Sequence, residues 1–534
     1  MTVSRLLAGA LALVAPSAAA AQTGSPIDRQ RSDRTLPPAP APAAPAAATR
    51  VDAGSDAAPP IATISFEGTN VPEPVARAAQ PFVGRPASRA NLQALVGAMS
   101  EAYGRTEVAL FTIVVPEQDL SSGHVRVLVA EGHLEAVVLT GEVEDRPLRL
   151  VRAYAARLTR QQPTRRATLE RYLSLIRDIP GLEVRPTLTT GDGPGGVRML
   201  LALDYKRPSL TFSFDNRTTR LVRDGQFQAR ARAWGLLREG DETELDAAAS
   251  VDFNDLLYVG LTHSTPLGTE GTRLALAGGF LRTRPPGGLS GEAKTFGLSL
   301  THPLLRSYRR NLSLSLSLDG LNSDNAAFGS LISSERTRVA RAAAGYSQTG
   351  RRRAVSAGVT ASLGLDLLGA RVPAAIGRPD FLKLNGRVSL DQAIGGRSVL
   401  RLRGAAQWTR VPLPAAERFS VGGAEFGRAF ETGLVNADRG YAGLAEIAYR
   451  PIGSGRFARS ELYAFADYAA VRFLARPAFA GQNLDLASAG TGLRLAFTEK
   501  AMIELEVART VDRPYPAYPS DWRISVGWRI SLRP

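Results

Sequence analysis

The chain has 534 residues, no cysteine and a formal net charge of +15, from 65 Lys and Arg against 50 Asp and Glu. That length calls for several domains, and the missing cysteine excludes disulfides and thiolate metal sites. A basic balance points to nucleic acid or an anionic surface, but the arginines are spread along the chain, which suits an arginine-lined pore or an anionic lipopolysaccharide surface equally well.

Residues 1–21 read as a secretory signal, with Arg5 before an apolar stretch at 6–14 and Ala19, Ala20 and Ala21 at a small-residue cleavage site. Beyond it there is no run of about 18 apolar residues, so helical membrane spans are not expected. If the rest crosses a membrane, it must do so as a closed β-barrel. Residues 22–60 become Pro- and Ala-rich and read as a linker, with one or two helical turns expected within 26–34.

Residues 61–133 read as a compact α+β domain. Strands are expected at 62–68, 111–115 and 125–129, and helices at 71–83 and 88–103. Ser88 is placed to cap the second helix, whose Leu92, Leu95, Val96 and Met99 share a face. Residues 134–206 repeat the plan: a strand at 134–139, helices at 148–158 and 168–179, strands at 183–188 and 197–204. A three-stranded sheet with helices on one face leaves an open edge, able to take an extended polypeptide by strand addition.

From Pro208 the pattern changes to period 2. Leu312, Leu314, Leu316 and Leu318 alternate with Ser313, Ser315, Ser317 and Asp319, and Trp522 to Leu532 alternate likewise with Arg523 to Arg533. One face suits lipid and the other a wet lumen. Strands are expected near 210, 225, 244, 256, 272, 294, 310, 336, 354, 381, 397, 441, 461, 486, 500 and 522, about 16 in all, over residues 207–534. The fold class is therefore a membrane β-barrel preceded by two α+β domains. Trp522, Trp528, Tyr515 and Tyr518 suit an interfacial aromatic girdle.

Residues 418–440 interrupt the array. They carry Gly422 and Gly423, then Arg428 between Phe426 and Phe430, and are too long and glycine-rich for an ordinary connection. We read them as a loop folded into the lumen. On the strand near 461, period 2 puts Phe465 and Asp467 on one face, and a barrel-wall aspartate faces the lumen. Arg428 then pairs with Asp467 and pins the loop; the bland alternative is an exposed Arg428 and an Asp467 that merely lines the lumen.

These residues resemble the two-partner secretion transporters, the haemolysin-activator-like outer-membrane proteins with two POTRA domains and a 16-stranded barrel. In the first α+β domain the resemblance rests on Phe66-Glu67-Gly68, on Pro116, Gln118, Asp119 and Leu120, and on Glu131-Gly132. In the barrel it rests on Asp215-Asn216, on Arg428-Ala429-Phe430 at the tip of an in-folded sixth extracellular loop, and on Phe465-Ala466-Asp467. Ala429 stands where the family usually has glycine. The resemblance implies a signal peptide, a plug helix before the linker, POTRA domains at 61–133 and 134–206 in the periplasm, and a monomer in outer-membrane lipid. It also implies transport of an unfolded, secreted partner, typically a large β-helical adhesin or haemolysin, and an Arg428–Asp467 lock.

No catalytic constellation is found, and neither cofactor, metal nor nucleic acid is expected; His124, His133, His263 and His302 are scattered. Two alternatives stay open. A barrel-assembly or insertion factor of the same superfamily leaves its substrates in the membrane, and a passive porin leaves the two α+β repeats unexplained.

Overall fold

The computed structural model describes residues 48–54, 59–141, 148–193, 195–219, 222, 224–477, 479–519 and 521–532. The expected signal peptide and plug helix lie outside them. The chain forms two compact units, one N-terminal and one from Arg207 onward.

The N-terminal unit holds both α+β repeats. The first comprises β2 (Thr63–Gly68), α1 (Glu73–Ala79), α2 (Arg89–Tyr103), β3 (Phe111–Val115) and β4 (His124–Glu131). The helix expected over 71–83 ends early and gives way to a 3₁₀ turn, Gln80–Phe82, because Pro81 has no N–H to continue the α ladder. Ser88 caps α2 as expected, its hydroxyl accepting the Asn91 N–H, and Leu92, Leu95, Val96 and Met99 are buried. A strand missed from sequence, β1 (Ala48–Val51), lies in the presumed linker and runs parallel beside β3, giving the order β1-β3-β4-β2. The β3 edge is therefore filled rather than open. The reason is local: Val51 packs on the core and Ala53 is buried, so this part of the linker does hide apolar surface.

The second repeat comprises β5 (His133–Gly141), α3 (Arg149–Leu158), α4 (Arg166–Arg177), β6 (Leu182–Thr190) and β7 (Gly196–Tyr205), with sheet order β5-β7-β6. Its β5 and β6 edges are unpaired among the described residues.

The other unit is a closed antiparallel barrel of sixteen strands. The chain enters through β8 (Ser209–Asp215), β9 (Gln226–Trp234), β10 (Glu242–Ser250), β11 (Leu256–Leu267) and β12 (Thr272–Thr283). The longest strands follow: β13 (Leu289–Arg306), β14 (Arg310–Ala327) and β15 (Ser330–Thr349). Then come β16 (Arg353–Gly364), β17 (Leu382–Ile394) and β18 (Ser398–Thr409). After the long loop the wall resumes with β21 (Arg439–Tyr449), β22 (Glu461–Phe473), β23 (Gln482–Phe497), β24 (Ala501–Asp512) and β25 (Trp522–Leu532). Every strand lies within a few residues of its expected place. The loop itself contributes two short strands, β19 (Phe419–Val421) and β20 (Val435–Ala437), paired only with each other.

Alternation sorts the two faces. Leu314, Leu316 and Leu318 point outward and are exposed, while Ser317 between them is buried in the bore. β25 closes on β8 from Gly527 opposite Asp215 to Leu532 opposite Leu210. Asn216 extends that seam: its amide donates to Ile524 O at 3.1 Å and its oxygen accepts the Val526 N–H at 2.9 Å.

Candidate functional site

The loop between β18 and β21 builds a hydrophobic core inside the barrel. Phe419, Val421, Phe426, Ala429, Phe430, Val435 and Ala437 are buried against wall residues that include Leu444, Tyr463, Phe465, Val471 and Leu486. Burial of this kind, at roughly 25 cal/mol per Å² of apolar surface, is what favours the loop inside over the loop in water. The backbone geometry explains the glycines. Gly422 (φ +104°) and Gly423 (φ +99°) are left-handed, and a Cβ on Gly422 would lie 2.2 Å from Glu431 O. Their N–H groups donate to Phe426 O and Phe430 O, at 3.0 and 3.2 Å, which folds the tip back on itself. The tight turn at the tip is made by Gly427, at φ +75°, so Ala429 needs no glycine. Its N–H donates to Ser488 Oγ at 3.3 Å instead.

Phe465 and Asp467 do face the bore, on β22, with Ala464 and Ala466 exposed on the other side. The expected side-chain pair between Arg428 and Asp467 is replaced by two separate sets of contacts. Asp467 accepts main-chain N–H bonds from Gly427 at 2.9 Å and Arg428 at 3.2 Å, and a hydroxyl bond from Ser488 at 2.8 Å. The Arg428 guanidinium runs on to Glu446 at 3.0 Å and Glu506 at 3.1 Å, lying 4.6 Å over the Phe465 ring on the way. The reason is length. The tip's backbone reaches Asp467 first, so the long side chain has to find its partners further along the wall. Glu446 also binds Arg401 and Arg494, and Glu506 also pairs with Arg217 at 3.0 Å. Arg428 thus joins a wall network in which each carboxylate already holds another cation.

Phe430 is fully buried against Tyr518, with ring centroids 5.3 Å apart. Tyr518 is therefore not part of an outer aromatic girdle: it is 5% exposed and its hydroxyl donates to Glu431 at 2.7 Å. The connection that carries it bends inward to cover the loop, whereas Trp522 keeps an outward, exposed position.

Three anchors at the loop's root were not foreseen. Glu417, buried in the 3₁₀ turn Ala415–Glu417, receives Arg341 from β15 and Lys383 from β17, each at 2.8 Å. Asp438, fully buried at the other end, accepts the N–H groups of Leu413 and Leu474 at 2.8 Å and pairs with Arg476 at 2.6 Å. Gln407 on β18 ties both ends together, donating to Glu417 O at 3.1 Å and Asp438 O at 3.0 Å. The loop spans the bore as a strap: one end of its root is held by β15, β17 and β18 and the other by the connection after β22, while its tip meets β21 to β24 through Glu446, Asp467, Ser488 and Glu506. A single signal, Glu417 beside a Pro-rich stretch, does not distinguish such an anchor from a solvated loop charge.

In the first α+β repeat the motif residues close the β3–β4 connection. The Gln118 amide donates to Pro116 O and Arg126 O, and its oxygen accepts the Arg126 N–H at 2.8 Å. Asp119 accepts the N–H and hydroxyl of Ser121, both at 2.9 Å, which holds its carboxyl below the ordinary range. Glu131 accepts the Tyr103 hydroxyl at 3.4 Å; burial, with the carboxylate beside it, pushes that phenol up. At Gly132 a Cβ would lie 3.1 Å from Leu110 and 3.2 Å from Gly195 O.

Comparison with known proteins follows the same division. The family of the haemolysin secretion/activation protein ShlB/FhaC/HecB matches residues 204–495, and the ShlB-type POTRA domain matches residues 60–132. The chain is similar to the heme/hemopexin transporter protein HuxB of Haemophilus influenzae, 22% identical over 453 residues, covering 81% of this chain and 79% of that one. Among solved structures, CdiB from Escherichia coli superposes with a TM-score of 0.67 at 17% identity, covering 89% of this chain and 90% of that one. BamA from Haemophilus ducreyi lacking POTRA domains 1–3 gives a TM-score of 0.56 at 13% identity, covering 88% of this chain and 99% of that one.

Proposed function

The chain belongs to the haemolysin secretion/activation (ShlB/FhaC/HecB) family and is an outer-membrane two-partner secretion transporter with its POTRA region in the periplasm; on that premise we propose that the strap across the bore is the resting gate of the export path. The observation that carries this reading is the loop's own hydrophobic core, buried in the lumen and fastened at both root and tip. An unfolded chain crossing the barrel needs the space the strap fills, so the strap moves aside during export. Charged and polar fastenings suit that task, because groups released from one another are taken up by water in the opened bore.

The residues proposed to hold the gate are Gly422, Gly423, Arg428, Phe430, Phe465 and Asp467, with Glu446 and Glu506 as the arginine's partners. The cargo is proposed to be a large β-helical exoprotein of adhesin or haemolysin type, engaged by two POTRA domains at 61–133 and 134–206. The repeated β-α-α-β-β order supports the second of these. The closed sheet and the outward leucines support a single chain working in contact with outer-membrane lipid. The test is Asp467→Ala in cells and in planar bilayers. Resting conductance should rise and one large exoprotein should fall in the medium, with the barrel still folded. Unchanged conductance and unchanged secretion would remove the gate.

A further inference from the structure

Three arginines gather on the outward side of the wall, at the end of the barrel from which the strap hangs. Arg410 follows β18, Arg439 opens β21, and Arg472 stands opposite Arg439 near the end of β22. Residues that face each other on antiparallel strands lie about 5 Å apart at Cβ, and like charges there repel. Arg410 and Arg439 also share one ring: their guanidinium carbons lie 5.4 and 5.7 Å from the centre of Trp408. Arg439 Nε donates to Thr409 O at 2.5 Å, which fixes it beside that ring. Among the described residues no carboxylate pairs with any of the three. Asp485, opposite Ala470 on the same face, accepts the Tyr468 hydroxyl at 3.0 Å.

Beside the arginines the wall is hollow. A cavity of about 520 Å³ lies over β14 to β18, with Leu314 at one side and Trp408 at the other. The register sets Leu314, Ala344, Val359, Gly386 and Ala406 in one row across these strands, on the outward face. Their small side chains make the floor, and a Cβ on Gly386 would meet nothing within 4 Å. The direction of the strands fixes the depth. The chain enters β8 from the periplasmic POTRA region, and β18 is the eleventh wall strand, so β18 ends at the outer surface. Trp408, Tyr441 and Tyr468 are exposed toward that end, as an interfacial aromatic belt requires. Arg410 lies past Trp408 toward the surface and Ala406 on its membrane side, so charge and groove meet at this ring.

We propose that this patch binds a phosphorylated glycolipid of the outer leaflet, with a phosphate between Arg410, Arg439 and Arg472 and one acyl chain along the cavity floor. Guanidinium groups meet phosphate through paired N–H···O bonds, and clustered arginines draw anionic headgroups. The anion also relieves the repulsion that the wall imposes on Arg439 and Arg472. A soluble anion would leave the groove unused, and an uncharged lipid would leave the arginines without a counter-charge; an anionic lipid uses both. The site is independent of the gate, since none of its arginines fastens the loop tip.

The test uses purified full-length protein in phosphatidylcholine nanodiscs, with lipid A as the probe and bound lipid read by native mass spectrometry. Arg410→Gln with Arg439→Gln should weaken lipid A binding at least about tenfold. Gly386→Leu, which fills the floor, should weaken it several-fold with all three arginines in place. Arg351→Gln with Arg352→Gln removes the same charge from the turn between β15 and β16, at the other end of the barrel, and should leave binding unchanged. All variants are compared at equal heat-modifiable fraction on gels, so that loss of folding is not read as loss of binding. Equal weakening by the two arginine pairs would show general charge attraction and overturn the site, as would unchanged binding in Arg410→Gln with Arg439→Gln. Normal binding by Gly386→Leu would also overturn it, because the cavity would then hold no acyl chain; displacement of the lipid by inorganic phosphate would in that case identify a bare phosphate site.

Discussion

Asp467 works through its oxygens and Arg428 through its reach, and the two do not depend on each other's side chain. Asp467 fixes the main chain of the loop tip at Gly427 and Arg428. Hydrogen bonds to a charged acceptor contribute about 1.5–3 kcal/mol each. Asp467→Asn keeps one acceptor but turns an amide N–H toward backbone donors, so it should free the tip substantially. Arg428→Ala leaves the Arg428 N–H in place, and it leaves Glu446 with Arg401 and Arg494. Its cost should therefore be smaller than that of breaking an isolated buried pair, about 3–5 kcal/mol. A double-mutant cycle on resting conductance should show Arg428 coupled to Glu446 by about 1 kcal/mol and nearly additive with Asp467. Strong Arg428–Asp467 coupling would restore the direct pair read from the sequence. Period 2 was enough to place Asp467 in the lumen. The arginine's partners were not legible, because alternation alone does not give the strand register that sets Glu446 opposite Phe465 and places Glu506 two strands beyond β22.

The loop is a small folded element anchored at each end, by Glu417 and by Asp438. Its glycines were visible in the sequence; their necessity comes from the 2.2 Å approach of Glu431 O to Gly422. Gly422→Val should leave the barrel folded and heat-modifiable on gels while raising resting conductance, and a closed resting state in that variant would count against the folded tip. The root makes a different prediction. Glu417→Ala takes the carboxylate away from both buried cations, although Lys383 keeps the main-chain oxygen of residue 417 at 3.2 Å and Arg341 keeps Asp319 at 2.8 Å. A loss of about 3 kcal/mol corresponds to roughly a 100-fold shift toward the undocked loop. Protease cleavage within residues 418–438 of intact cells measures that shift, and protection equal to the unmutated chain would rule the anchor out.

The turn at Asp119 carries a pH prediction of definite sign. Its folded carboxyl sits below the ordinary range because Ser121 hydrogen-bonds to the charged form. The contribution to stability is present above the unfolded value and is lost as pH falls through the lowered one. The protection of the Ser121 amide, measured against its intrinsic exchange rate, should therefore hold near neutrality and fall only in acid, and Asp119→Asn should flatten the profile.

For the whole molecule, the two faces of the wall make the strongest claim. Leu316 is 61% exposed on the outside, and Ser315 beside it faces inward and bonds Thr301 at 3.0 Å. Arginine at a lipid-facing mid-plane position costs about 2–4 kcal/mol. Leu316→Arg should lower the folded, heat-modifiable fraction of barrel, while Ser315→Arg should leave it near normal. Equal yields would mean that the outer face does not meet lipid.

The sequence by itself determined the number of barrel strands, their inward and outward faces and the two α+β repeats, while the odd loop stood out as the long glycine-rich break in the alternation. All of these are local properties of the chain, a period of two or of 3.6 residues or a break in it. The tertiary structure alone decided that linker residues 48–54 dock on β3, that Tyr518 turns inward, and that Glu417, Asp438, Glu446 and Glu506 hold the strap. Those contacts join residues far apart in sequence, and their geometry exists only after the sheet has curled shut and fixed which walls face each other.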